Sequence, residues 1–302
     1  MAKELKRITI FGVGLIGGSF ALGLKRAGVN AHIVGVGRSR TSLEVAQQLG
    51  IIDSIASDVA SALANADLVL IAAPVAQTGA ILASIQPHLQ PGTVVSDAGS
   101  TKSDVVAAAR AALGGKIAQF VPAHPIAGRE LNGPQAALAD LYVGKKVVIT
   151  RLPENADADV ALVAQVWQQC GAIIHHLDPA RHDAVFAAVS HLPHMLAYAL
   201  VDDVAHKPHA DTLFQFAASG FRDFTRIAGS SPEMWRDITL ANRVALLEEL
   251  DSYTARLAQL RAHLLAADGA AIEAMYTHAQ QARHNWISTI EAAEKQQREG
   301  GD

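Results

Sequence analysis

The residues of this chain best placed to do chemistry sit in short groups between long Ala- and Leu-rich stretches. The first group is a glycine turn, Gly12-Val13-Gly14-Leu15-Ile16-Gly17-Gly18, between an apolar run and a helical one. In that setting a G-x-G-x-x-G pattern cradles the pyrophosphate of a dinucleotide. Gly12 permits the tight turn, Gly14 lets the phosphates approach the backbone, and Gly17 lets helix and strand pack closely. Leu15 and Ile16 lie in the same turn, ahead of a helix predicted over 19–27 whose N-terminus faces the phosphates. Outside that setting the same glycines are only a turn. The end of the second predicted strand bears on the choice of cofactor. An NAD site usually carries an acid there for the ribose hydroxyls, whereas this chain has Arg38-Ser39-Arg40, suited to a 2′-phosphate. The expectation is NADP. NAD is the alternative, in which one arginine stacks on adenine and the other is solvated.

Ser100, in Asp97-Ala98-Gly99-Ser100-Thr101-Lys102, directly follows a predicted strand. Ligands collect at the carboxyl ends of strands in an open α/β sheet, so this serine is placed to donate to substrate or nicotinamide. The plainer reading makes it an N-cap for the next helix. His124, in Ala123-His124-Pro125, also comes just after a predicted strand. An imidazole there can take a hydroxyl proton as hydride leaves; the plainer reading is a buried histidine bonded to backbone. His191 and His194 share one helix face. With no suitable third ligand nearby, substrate contact or packing is expected rather than metal binding. Arg222, Asp223 and Arg226, followed by Trp235, concentrate charge in an apolar half. Arginine grips carboxylates with two parallel bonds, which makes this a candidate anion site; solvated surface ion pairs are the alternative.

Two kinds of element must position these groups. As far as residue 178, short β-rich runs alternate with helical ones. Strands are predicted at 8–12, 31–36, 68–72, 93–96, 119–122, 146–150 and 173–177, mostly continuous apolar stretches as in parallel sheets covered on both faces. Helices are predicted at 41–49, 77–89, 102–113 and 157–170. The alternation predicts a doubly wound α/β sheet, with the last two strands as an appendage of open direction. Residues 179–302 read as all-helical: 180–204, with a kink at Pro193, then 210–219, 234–265 and 270–290. Their wide apolar faces suggest a partner subunit. The tail from 291 is polar and expected to fray.

The totals exclude several classes. The chain has 302 residues, half of them hydrophobic, and a net charge of −4. Nothing there points to nucleic acid or an anionic membrane. The single cysteine, Cys170, rules out an intrachain disulfide. The N-terminal apolar run is short and glycine-broken, unlike a leader peptide. No apolar run is read as long enough to span a membrane, so a cytoplasmic protein is expected.

Taken in order, GVGLIGGS, DAGSTK, AHPIAGRE, SHLPH and GFRDFTRIAGSSPEMWRDI resemble the prephenate/arogenate dehydrogenase family of tyrosine biosynthesis. The matching stretches span residues 12–238. The resemblance implies a Rossmann domain (1–178) joined to an all-helical substrate and dimerisation domain (179–302) in a homodimer. It implies that His124 is the catalytic histidine bonding the ring 4-hydroxyl and that Ser100 orients it. Arg226 would grip the ring carboxylate, with His194 in the substrate site and Glu130 at its mouth. Arg222, Asp223 and Trp235 would surround the pocket, Trp235 being a candidate contribution from the partner subunit. The implied reaction is oxidative decarboxylation of prephenate to 4-hydroxyphenylpyruvate, or of arogenate to tyrosine. Arg129, beside Glu130, departs from the residues of other members at a position expected to affect that choice.

Two other readings compete. A β-hydroxyacid dehydrogenase also joins a Rossmann domain to helices, but its usual lysine is absent from residues 180–204. A non-catalytic NADP-sensing dimer would have no need for a base, an orienting serine and a carboxylate clamp together.

Overall fold

The computed structural model describes residues 5–129 and 131–299, with side chains as far as residue 290. Its first half alternates strand and helix. The strands and helices are β1 (Arg7–Phe11), α1 (Leu15–Arg26), β2 (His32–Val36), α2 (Arg40–Gln48), β3 (Ser54–Ile55), α3 (Val59–Leu63), β4 (Leu68–Ile71), α4 (Thr78–Ile85), β5 (Val94–Asp97), α5 (Ser103–Leu113) and β6 (Phe120–Val121). They form a six-stranded parallel sheet in the order β3-β2-β1-β4-β5-β6. That is the doubly wound dinucleotide-binding order, and it reverses direction between β1 and β4. The register aligns Phe11 with both Val36 and Ile71, and Ile71 with Asp97. One edge of the sheet therefore carries the start of the glycine turn, the Arg38–Arg40 segment and the loop holding Ser100.

The expected appendage is a separate three-stranded sheet of β7 (Ala123–Pro125), β8 (Lys146–Ile149) and β9 (Ile173–His176), with α6 (Asp157–Gln169) between the last two. β8 and β9 run parallel, and β7 lies antiparallel to β8. The sequence reading missed β7 and β3, which have only three and two residues. The fully buried Trp167 of α6 fixes this part to α1, packing edge-on against Phe20 at 4.7 Å and Tyr142 at 5.0 Å. The Tyr142 hydroxyl donates to the Ile16 carbonyl at 2.6 Å, bracing the glycine turn from behind.

The helices that follow are α7 (Pro179–Phe186), α8 (Leu192–Ala205), α9 (Ala210–Gln215), α10 (Ser219–Thr225), α11 (Pro232–Ala241), α12 (Arg243–Leu265) and α13 (Gly269–Glu299). Between α7 and α8 the chain makes one π turn, Ala187–His191. Pro193 lacks the N–H an α-helix needs, and the irregularity predicted there appears as this wider turn just before it. The helix expected over 234–265 is two, divided at Asn242, whose side chain is turned into the core. The run Pro179–Ala205 is long and apolar enough, by length and composition, to cross a membrane. This corrects the expectation that no segment would be. Among its residues, His182, Asp183 and His191 are buried in a polar cluster described below.

By packing, Met1–Leu246 form one compact unit and Leu247–Asp302 another. In the first, one apolar cluster lies around α1 and α6. A second lies around α4 and α5 and takes in Trp235 and Ile238 of α11. In the second unit no described residue is buried, and Leu264, Leu265, Tyr276 and Trp286 are exposed.

Candidate active site

The glycine turn has the shape its sequence requires. Gly12 has φ +94°, and a Cβ there would sit 2.6 Å from the Ala72 carbonyl oxygen. A Cβ on Gly17 would sit 2.2 Å from the Gly12 carbonyl oxygen. Gly14 instead faces open space: a Cβ there meets nothing within 4 Å. Gly14 is also the N-cap of α1 and provides no side-chain cap. The first amides of α1 therefore face a cradle cleared of side chains, which fits a dinucleotide pyrophosphate. Leu15 is buried behind the turn and Ile16 half-buried. Among the three polar residues beyond β2, Ser39 caps α2 by accepting from the Ser42 N–H at 3.2 Å. Arg40 Nε donates to Glu44 at 2.9 Å, and Arg38 is exposed. The structure thus gives Ser39 and Arg40 helix-stabilising roles alongside any contact with the cofactor.

The histidine expected to act as the base lies on β7. At the end of β5, the Asp97 carboxylate accepts from the Gly99 N–H (2.8 Å) and the Ala123 N–H (3.1 Å). It also accepts from the ammonium of Lys102 at 2.5 Å, a pair shut off from solvent. This network fixes the start of β7 relative to the Ser100 loop. His124 Nδ1 then lies 2.9 Å from His182 Nε2, and His182 Nδ1 lies 2.8 Å from Asp183 Oδ1. Phe186 packs edge-on against the His124 ring at 4.9 Å and tilted against that of His182 at 4.5 Å. The contact with His182 uses His124 Nδ1 and leaves Nε2 outside it.

Asp183 is tied down at both oxygens. Oδ1 also accepts from the Lys102 N–H at 2.8 Å, and Oδ2 accepts from the Ser103 N–H at 2.7 Å. These are the first amides of α5, so Asp183, arriving from α7, caps the helix that Ser100 was read as a candidate to cap. Burial pushes the Asp183 carboxyl upward. The bonds from His182, Ser103 and Lys102 outweigh it and hold the group below the ordinary carboxylate range. His124 is driven well below a free imidazole, first by burial and then by the charges of His182, Lys102 and His191. It is therefore kept neutral and able to accept a proton.

A series of contacts leads from this group to His194, which feels the charge of Arg226. The Asn242 amide donates to the Asp183 carbonyl at 2.8 Å and lies 3.0 Å from His191 Nδ1. Burial lowers His191 to a pKa of about 4, and its ring abuts the Ser100 backbone. His191 meets Trp235 edge-on at 6.1 Å, and Trp235 stacks on His194 at 3.5 Å. His194 Nδ1 donates to the Ser190 carbonyl at 2.8 Å, which leaves Nε2 as the acceptor. Burial first, and then the nearby Arg226 charge, depress His194. Trp235 Nε1 is buried without a partner among the described residues.

The structure thus brings His124, Ser100, His194, Trp235 and Arg226 into one connected region. Trp235, read as a candidate contribution from a partner subunit, stacks on His194 of its own chain. Arg222 and Asp223 stand on the exposed side of α10. Glu130 lies outside the described residues, and its neighbour Arg129 is exposed. No group of metal-ligating side chains occurs among the described residues. The sequence reading missed His182, Asp183, Asn242 and the Lys102–Asp97 pair. The adjacent His-Asp at the start of a helix was the available signal.

Two family models cover most of the chain. One, described as prephenate dehydrogenase, nucleotide-binding domain, matches residues 20–176. The other, prephenate dehydrogenase, dimerization domain, matches residues 178–277. Cyclohexadienyl dehydrogenase of Zymomonas mobilis is 35% identical over 280 residues, 92% of this chain and 95% of the relative. Prephenate dehydrogenase of Bacillus subtilis is 35% identical over 259 residues, 85% of this chain and 70% of the relative. Among solved structures, Aquifex aeolicus prephenate dehydrogenase in complex with hydroxyphenyl propionate and NAD+ superposes with a TM-score of 0.85 at 35% identity, over 96% of this chain and 99% of that one. Synechocystis arogenate dehydrogenase gives 0.78 at 29% identity, over 93% and 99%.

Proposed function

This chain belongs to the prephenate dehydrogenase family, and from that premise we propose that it oxidatively decarboxylates prephenate with NADP, as a cytoplasmic homodimer. The observation that carries the reading is the single connected region in which a neutral, buried His124 and the Arg226 cation are linked through His191, Trp235 and His194. A ring with a hydroxyl at one end and a carboxylate at the other requires a base for the first and a cation for the second.

The glycine turn and α1 hold the pyrophosphate of the dinucleotide, and Arg38 with Ser39 and Arg40 receives the 2′-phosphate. When bound, the nicotinamide supplies the hydride acceptor. His124 Nε2 accepts the hydrogen of the 4-hydroxyl while Ser100 orients that group. Arg226 holds the ring carboxylate, and Trp235 Nε1 remains as a donor toward the substrate. As hydride leaves the carbinol carbon, His124 holds the hydroxyl proton. As the carboxylate departs as CO₂, its bonding pair enters the ring and the oxygen takes the proton back. Aromatisation drives the reaction; these residues position it and manage one proton. Arogenate differs only in a side chain remote from the base, so the same groups serve it as an additional or alternative substrate. The exposed apolar residues of α12 and α13 support the dimer.

The test is reduced-nicotinamide absorbance with prephenate or arogenate, each paired with NADP or NAD. Turnover with prephenate and a higher kcat/KM with NADP are expected. No turnover in any pairing overturns the enzyme reading. His124→Asn should abolish turnover while leaving dinucleotide affinity unchanged by titration; an active variant would remove His124 from its role. Arg38→Ala should raise the KM for NADP about tenfold or more with little effect on NAD. Equal effects on both would refute the 2′-phosphate contact.

A further inference from the structure

We propose that Asp183 and His182 are positioning residues that fix the proton of His124 on Nδ1 and share its charge during turnover. The proposal rests on the functional reading above, in which His124 Nε2 faces the substrate hydroxyl.

Hydrogen-bond polarity sets the direction of each contact. Asp183 receives two backbone N–H groups of α5 and has no proton to give, so at the 2.8 Å contact His182 must donate from Nδ1. A neutral imidazole with its proton on Nδ1 can only accept at Nε2. At the 2.9 Å contact His124 must therefore donate from Nδ1. The same rule then leaves His124 Nε2 as a lone pair, the form that accepts a hydroxyl hydrogen. A fixed carboxylate thus sets the tautomers of two successive rings, and every proton in the chain points toward Asp183. Phe186, packed on both rings, prevents either from turning away.

When the hydroxyl O–H bond breaks, its proton binds His124 Nε2. The His124 Nδ1 proton is shared with or passed to His182 Nε2, and the positive charge comes to lie next to Asp183. No electrons move in this relay, and it reverses when the product oxygen is reprotonated. Lys102 is already paired with Asp97, so its charge opposes cation formation at His124 without drawing Asp183 away.

Asp183→Asn tests this. Oδ1 of Asp183 faces both His182 and the Lys102 N–H, and Oδ2 faces the Ser103 N–H; with its oxygen on Ser103, the asparagine presents its amide donor to His182 and to the Lys102 N–H. That reverses the chain and puts the His124 proton on Nε2. The expected result is a fall in kcat of about a hundredfold or more, with KM for prephenate and dinucleotide affinity changed less than about threefold. Histidine ¹⁵N NMR of the wild-type protein should show His124 protonated on Nδ1, and the variant should show Nε2. Wild-type His124 protonated on Nε2 would overturn the proposal whatever the variant does, including a failure to fold. So would unchanged kcat in the variant, or lost kcat with His124 still protonated on Nδ1, which would reduce Asp183 to a helix cap. Turnover by the wild-type protein bears on the functional reading alone, so the two can fail separately.

Discussion

At the residue scale, the site sets a buried, neutral His124 in one connected region with the charge of Arg226. Arg226 is the cation whose charge depresses His194, where the series of contacts from His124 ends. Arg226→Ala should lower kcat/KM for prephenate by about a hundredfold or more, chiefly through KM. Arg226→Lys should recover only part, because an ammonium lacks the paired donors of a guanidinium. Full activity in either variant would place the carboxylate elsewhere. His124, Ser100 and Arg226 were singled out in the sequence as candidates because each stands at a position with local meaning, a strand end or a charged patch in an apolar half. His182 and Asp183 were not. They follow an ordinary helix start, where Asp178 caps α7. Their importance comes from contacts with Lys102 and Ser103, about eighty positions earlier in the chain.

At the scale of elements, the alternation of strand and helix predicted most of the parallel sheet, because buried parallel strands are continuous apolar runs. It missed β7, whose three residues carry no periodicity, though β7 is the strand that carries His124. It merged α11 with α12 because Asn242 reads as a tolerable helix residue until its amide is seen bonding Asp183 and facing His191. The turn between β1 and α1 gives a sharp prediction. Gly12→Ala must place a methyl on the Ala72 backbone at a positive φ. It should cost about 2 kcal/mol or more of stability and weaken dinucleotide binding. Urea unfolding and cofactor titration check both, and a variant with wild-type values in each would refute the tight-turn account. Trp167→Ala should cost about 3–5 kcal/mol by leaving a cavity between α6 and α1.

At the scale of the whole molecule, buried neutral histidines tie stability to pH. His191 titrates at about 4 in the folded chain against 6.5 for a free imidazole. Between those values the unfolded chain binds the extra proton, so stability falls as pH falls. His191 alone should remove about 3 kcal/mol between pH 6.5 and pH 4, and His124 and His182 shift in the same direction. Urea midpoints across that range should drop steeply in the wild type and less in His191→Asn. A flat wild-type profile would refute the neutral burial of these rings. The helical half was legible as a class but not in its packing, because Ala-rich helices with wide apolar faces do not encode which neighbour each face meets.

The carboxylate of Asp183 joins two things usually separate, the first turn of α5 and the acid–base chemistry of His124. Each time that turn opens, the amides of Lys102 and Ser103 lose their acceptor and His182 loses its anchor in the same event. Protection of those two amides from hydrogen exchange therefore gauges how much of the time His182 keeps its anchor, which under the proposal above is also the fraction of molecules competent to react. It can be read in the absence of substrate and cofactor. The same coupling narrows the routes open to sequence drift: a change at position 183 acts on the helix and the base together, so neither can be retuned alone.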